Sequence, residues 1–116
     1  MGPNLKIEFN EANDGDSFQV IMFEGDFDKA GYSEISAKLN AFVKEFKLNK
    51  LIFDFSKMKF INSEGIGYLM EIHTHLLKND QHLILVGPND HVKDVFNTIG
   101  IDEVIPVEKT LAEAIK

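Results

Sequence analysis

Neither cysteine nor arginine occurs among these 116 residues. Without cysteine there is no disulfide, no thiol nucleophile and no thiolate-bound metal, a composition that fits a cytoplasmic protein. Without arginine there is no guanidinium fork to grip a phosphate or read a base edge. The 12 basic residues are all lysine and are outnumbered by 19 acidic ones, for a net charge of −7. No nucleic acid and no anionic membrane is therefore expected as a direct partner; the composition favours another protein, one offering a basic surface. Long apolar runs are missing too. None approaches the roughly 20 residues that a bilayer span needs, so no direct membrane insertion is expected. Met1-Gly2-Pro3-Asn4 carries no basic-then-apolar leader pattern, and Lys6 stands where an N-myristoylation signal wants Ser or Thr.

What is present suits a folded domain. An apolar share of 44% and a charged share of 27% are ordinary for a globular protein, and the length suits one domain over 1–116. Leu5-Lys6-Ile7-Glu8-Phe9 alternates apolar and polar residues, as a half-buried strand does. Asn13-Asp14-Gly15-Asp16 is dense in turn formers, so a second strand from Phe18 to Phe23 should form a hairpin with the first. Gly25-Asp26-Phe27-Asp28 reads as a loop. Ile35, Leu39, Phe42, Val43 and Phe46 then fall at helical spacing, which predicts a helix over about 31–46. Leu51 to Phe55 and Leu83 to Val86 read as buried strands, the latter stopping at Gly87-Pro88. Ile66, Leu69, Met70, His73, Leu76 and Leu77 mark one helical stripe. Val92, Val95, Phe96 and Ile99 mark a shorter one that Gly100 closes. Val104-Ile105-Pro106-Val107 reads as an edge strand, and Thr110 with Glu113 as the capping box of a last helix. Two strands followed by alternating helix and strand predict an α/β fold: a mixed β-sheet of about five strands with about four α-helices. Right-handed crossovers would put the C-terminal ends of the parallel strands along one rim.

The segment from Phe60 to Gly67, Phe-Ile-Asn-Ser-Glu-Gly-Ile-Gly, lies on that rim. An apolar run stops at Asn62-Ser63, and two glycines precede a helical pattern. Ser63 would thus stand at a helix N-terminus, where free N–H groups and the dipole favour negative charge. As a plain N-cap it would stabilise its helix by roughly 1 kcal/mol. Gly65 and Gly67 do not make a nucleotide loop, since Met70 stands where the third glycine belongs and no Walker lysine follows. They fit close backbone approach, of the helix to its own sheet or of a partner. Asp26, Asp28 and Asp54 fit a solvated loop and a strand-end turn better than a metal or acid–base cluster. His73 and His75, two apart on a helix, point to different faces and cannot hold one metal together. His73 reads as a hydrogen-bonded core residue and His75 as exposed. No metal, no cofactor and no enzymatic activity are expected, because no nucleophile–base pair is apparent.

Four segments in order carry a family resemblance over about residues 18–115. Gly25-Asp26-Phe27-Asp28, Leu51-Ile52-Phe53-Asp54-Phe55-Ser56, the segment 60–67 and Leu83-Ile84-Leu85-Val86-Gly87 together resemble the STAS domain of bacterial anti-sigma factor antagonists. The resemblance implies a bacterial partner-switching protein acting in transcription regulation. The antagonist binds an anti-sigma factor, often itself a GHKL-type serine kinase, and thereby frees a sigma factor. Phosphorylation ends that binding, and a PPM-type phosphatase restores it. Ser63 falls on the family's phosphoacceptor. Asp26, Asp28, Asn62, Ser63, Glu64, Gly65, Ile66 and Gly67 fall on or beside its partner-binding surface. Two positions depart from the signature. Asn62 stands in place of the usual aspartate and lacks its charge, and Glu64 stands where Ser or Thr is common. A carboxylate there would oppose the added charge of about −1.5 to −2 on a phosphorylated Ser63. The resemblance also allows a STAS subunit that is never phosphorylated, in a stressosome-like scaffold or as a lipid-transport accessory.

Overall fold

The computed structural model describes residues 4–10, 12 and 15–116; Asn13 and Asp14 of the expected turn lie outside the described residues. The element order is β1 (Leu5–Phe9), β2 (Phe18–Phe27), α1 (Lys29–Glu45), β3 (Lys50–Ile61), α2 (Ser63–Lys78), β4 (His82–Val86), α3 (Asp90–Ile99), a 3₁₀ turn (Ile101–Glu103), β5 (Val107–Glu108) and α4 (Leu111–Ile115). The expected five-stranded mixed sheet with four helices is thus present. Strand order follows chain order, β1-β2-β3-β4-β5. β1 runs antiparallel to β2, with Leu5 opposite Gly25 and Phe9 opposite Ile21. The pairs β2–β3, β3–β4 and β4–β5 are all parallel.

Alternation along the strands gives the sheet two unequal faces. One carries Ile21, Phe23, Leu51, Phe53, Phe55 and Leu85, packed under α1, α2 and α3 as the main core. The other carries Val20, Ile52, Ile84 and Val86, covered by Ala114 of the short α4. Lys50 holds that helix in place. Its ammonium donates to the carbonyls of Ala114, Ile115 and Lys116 at 3.2, 3.1 and 2.7 Å, satisfying acceptors that a helix C-terminus leaves unpaired. Among the described residues no helix is long and apolar enough to cross a membrane.

Four elements differ from the sequence expectation. β3 does not stop at Phe55 but continues to Ile61, and β2 runs on to Phe27 beside it. The segment 25–28 is therefore no loop: register shifts after Met22 and Gly25 let the strand continue with Phe27 wholly buried. At the other end Val104-Ile105-Pro106 is not strand. The chain makes the 3₁₀ turn and pairs only Val107 and Glu108 with β4. α2 also buries Ile72 and leaves Leu77 exposed, so its apolar stripe is turned slightly from the one the spacing suggests.

The longer strands set where α1 and α2 begin. Asp54 pairs with Val86, the last residue of β4. Beyond that point β2 and β3 continue, at roughly 3.3 Å per residue, for roughly 20 Å past the end of β4, with β1 beside β2 as far as Leu5 opposite Gly25. Phe27 and Ile61 end this extension side by side.

Candidate functional site

Each strand of the extension turns straight into a helix, so α1 and α2 start as neighbours. Asp28 follows Phe27 and caps α1, its carboxylate Oδ1 accepting from the Gly31 N–H at 2.8 Å. Asn62 follows Ile61 and caps α2 in the same way, its amide Oδ1 accepting from the Gly65 N–H at 3.1 Å. The Asn62 N–H in turn donates to the Phe27 carbonyl at 3.4 Å, which ties the second cap to the first strand.

Glycine three residues after each cap is a steric requirement. A Cβ on Gly31 would collide with the Asp26 carbonyl, and one on Gly65 with the Phe27 carbonyl and ring. Gly67 differs: it is exposed and has nothing within 4 Å of where a Cβ would be. Close approach to the sheet therefore accounts for Gly65 alone, whereas Gly67 leaves bare backbone open to solvent. Ile66, next to both, is buried in the core at 5% exposure and presents no surface to a partner.

Ser63 is the first residue of α2 and not its cap, contrary to the plain reading of the sequence. The amide of Asn62 already satisfies the orphan N–H, and the Ser63 side chain is exposed and makes no hydrogen bond among the described residues. Glu64 lies in the same first turn and is also exposed. Asp26 and Asp28 are partly buried on the adjacent strand end, and the Asp28 carboxylate is engaged in capping. The start of α3 belongs to this rim as well. Asn89 caps α3 through Val92, and its side-chain amide donates to the Met58 carbonyl of β3 at 3.0 Å. A polar residue after Gly87-Pro88 and before an apolar stripe is itself a cap signal, and it could have located Asn89 in the sequence. Asp28, Glu64 and Asp90 thus place a carboxylate at or within the first turn of three helices.

Aromatic packing stiffens the site. Tyr68 of α2 stacks on Tyr32 of α1 with ring centroids 3.6 Å apart, and Tyr32 stacks in turn on Phe27. The Tyr32 hydroxyl donates to Asn40 at 3.1 Å, and burial pushes its pKa above the ordinary phenol value.

The remaining candidates fall elsewhere. Asp54 lies on β3 level with the end of β4, and its carboxylate accepts from the Ser56 N–H at 2.9 Å, so it does not join Asp26 and Asp28. Among the described residues no group of three His, Asp or Glu side chains is placed to hold a metal ion. His73 is buried at 8% exposure, but its Nδ1 lacks the expected hydrogen bond among the described residues. Burial, with a smaller contribution from His82, holds its pKa below the ordinary imidazole value. His75 is exposed.

Solved structures with the same architecture include an anti-sigma-factor antagonist (STAS) domain protein from Planctomyces limnophilus, 21% identical over 99% of this chain and 96% of its own, with a TM-score of 0.79. An anti-sigma factor antagonist from Mycobacterium paratuberculosis is 23% identical over 94% of this chain and 91% of its own, with a TM-score of 0.78. The antagonist SpoIIAA in its unphosphorylated form is 24% identical over 93% of each chain, with a TM-score of 0.73. At such identities the likeness establishes the fold. The family model of the STAS domain matches residues 10–114. With the match extending over nearly the whole chain, this protein belongs to the STAS domain family.

Proposed function

We propose that this chain is an anti-sigma factor antagonist in a partner-switching pathway, with Ser63 as its phosphoacceptor. The observation that carries the reading is the division of labour at the start of α2. Asn62 does the capping, and the hydroxyl of Ser63 is exposed and without a hydrogen bond among the described residues, so it can react without loss of one. In the transfer, Ser63 Oγ forms a bond to the γ-phosphorus of ATP while the bond to ADP breaks, and its proton leaves to a base of the kinase. The helix dipole tolerates the new charge, so the effect falls on docking and not on folding. The partner is an anti-sigma factor with serine-kinase activity, contacted by the first turn of α2, by Gly67 and by the Asp26–Asp28 strand end. A PPM-type phosphatase resets the site, and the chain itself works in the cytoplasm as a substrate and binding module.

Incubation with ATP and the cognate serine kinase should add one phosphate-sized mass to the wild type and none to Ser63→Ala. A gain that persists in Ser63→Ala sinks the assignment.

A second reading rests on Glu64. Its carboxylate already occupies the turn that a phosphate would enter, so the chain could act as an unphosphorylated STAS scaffold or accessory subunit that partly mimics the charged state. Stronger kinase binding by Glu64→Ser supports that reading, and unchanged binding counts against it.

A further inference from the structure

α3 shows solvent an apolar face that the Ser63 surface does not use. His91, Val95 and Ile99 recur at helical spacing along it, and Ile99 is 50% exposed. Phe60, three residues before Ser63, is 38% exposed and stacks on His91, with ring centroids 5.8 Å apart and planes 16° from parallel. An apolar track therefore starts beside the phosphoacceptor and runs down α3. It is concave: His91, Asp94, Val95, Thr98 and Ile99 line a shallow depression of about 240 Å³. The Asn89 amide bonded to Met58 O fixes the helix against β3, so the two halves of the track are held together before anything binds.

The charge around the track selects its occupant. Asp94 lines the depression, Asp90 opens α3 and Glu103 follows it, against the exposed Lys59 beside Phe60, while Lys93 and Asp102 face a separate cavity with Gly87, Phe96 and Lys109. A second copy of this chain would bring −7 against −7, and an anionic lipid surface would be repelled. An apolar segment carrying cations is attracted and buries the exposed side chains at the same time.

We infer that Phe60, His91, Val95 and Ile99 form a docking track for a basic amphipathic helix of a protein partner. This rests on the partner-binding reading above and extends its surface from the first turn of α2 to the length of α3. A partner held on the track has its body next to Ser63, so the track positions the partner and the phosphoacceptor reports its state.

The test is an amide NMR titration of the full chain with a synthetic helical peptide, leucines on one face and lysines on the other. Its counterpart carries glutamate in place of lysine. The lysine peptide should shift the amides of residues 60, 91, 94, 95, 98 and 99 and saturate. Ile99→Ser and Phe60→Ala should each weaken it by about 10-fold, as loss of an apolar anchor does. Asp94→Lys, an exposed change that leaves the core intact, should weaken it comparably, and Leu77→Ser on α2 should leave it unchanged. Shifts confined to other surfaces, equal binding of the glutamate peptide, or full affinity in both Ile99→Ser and Asp94→Lys would overturn the inference. So would self-association or binding to phosphatidylglycerol vesicles that Ile99→Ser abolishes, since each names a different occupant. The peptide is no kinase, so its result stands apart from phosphorylation. A chain that binds it on the track but is never phosphorylated loses the switch and keeps the track.

Discussion

The starts of α1 and α2 follow one plan and diverge at two residues. Asp28-Lys29-Ala30-Gly31 and Asn62-Ser63-Glu64-Gly65 both set an Asx cap three residues before a glycine pressed against a strand-end carbonyl. Between cap and glycine, α1 has Lys29-Ala30 and α2 has Ser63-Glu64. The framework of cap, glycine and carbonyl is structural and shared. The side chains of the pair inside it make no hydrogen bond or ion pair among the described residues, and there α2 carries a hydroxyl and a carboxylate where α1 carries an ammonium and a methyl group. The proposed function thus rests on two positions whose side chains the fold does not use.

The strongest way to break both starts at once is Phe27→Ala. The Phe27 ring touches Gly65 and stacks on Tyr32, so its loss should cost about 3–5 kcal/mol in urea unfolding. Gly65→Ala and Gly31→Ala test the shared plan one helix at a time. Each should cost about 1–3 kcal/mol by overpacking, whereas Gly67→Ala, with open space around it, should stabilise by up to about 1 kcal/mol. Equal effects at Gly65 and Gly67 would show that the Phe27 carbonyl does not press on α2.

The caps separate from the site residues at smaller magnitude. Asn62→Ala should cost about 1 kcal/mol, as should Asp28→Ala. Ser63→Ala should stay within about 0.5 kcal/mol of wild type, because the hydroxyl supports nothing. A Ser63→Ala loss as large as that of Asn62→Ala would return the capping role to Ser63.

The smallest effect contrasts the satisfied start of α2 with its unpartnered middle. His73 has a folded pKa below its unfolded one, so the unfolded chain binds the proton more readily. Its contribution is complete above the unfolded pKa of about 6.5 and is lost as pH falls from there through the folded value. Urea midpoints measured downward from neutral pH should therefore decline through this range in the wild type and decline less in His73→Leu. Parallel curves for the two proteins would remove His73 from the account.

Much of this was legible from residue order. Period-2 and period-3.6 patterns located most of the elements, because alternation and helical spacing follow from covalent geometry. The motif order around Ser63 located the start of α2. Three things were not legible. Phe27 looked like part of a polar loop because Asp26 and Asp28 flank it, yet strand pairing with Ile61 buries it. Asn62 and Ser63 are both good caps, and only the backbone turn decides which side chain reaches Gly65. The pairing of Phe60 with His91 joins residues 31 positions apart, a contact that no local pattern encodes.

The sequence by itself therefore determined the class of fold and the order of its elements, both of which depend on local spacing and turn chemistry. The tertiary structure decided which member of the Asn62-Ser63 pair is structural and which is free. It also decided that α3 adds an apolar track beside them. Both outcomes depend on how far β2 and β3 run past β4, and that length is set by pairing between strands.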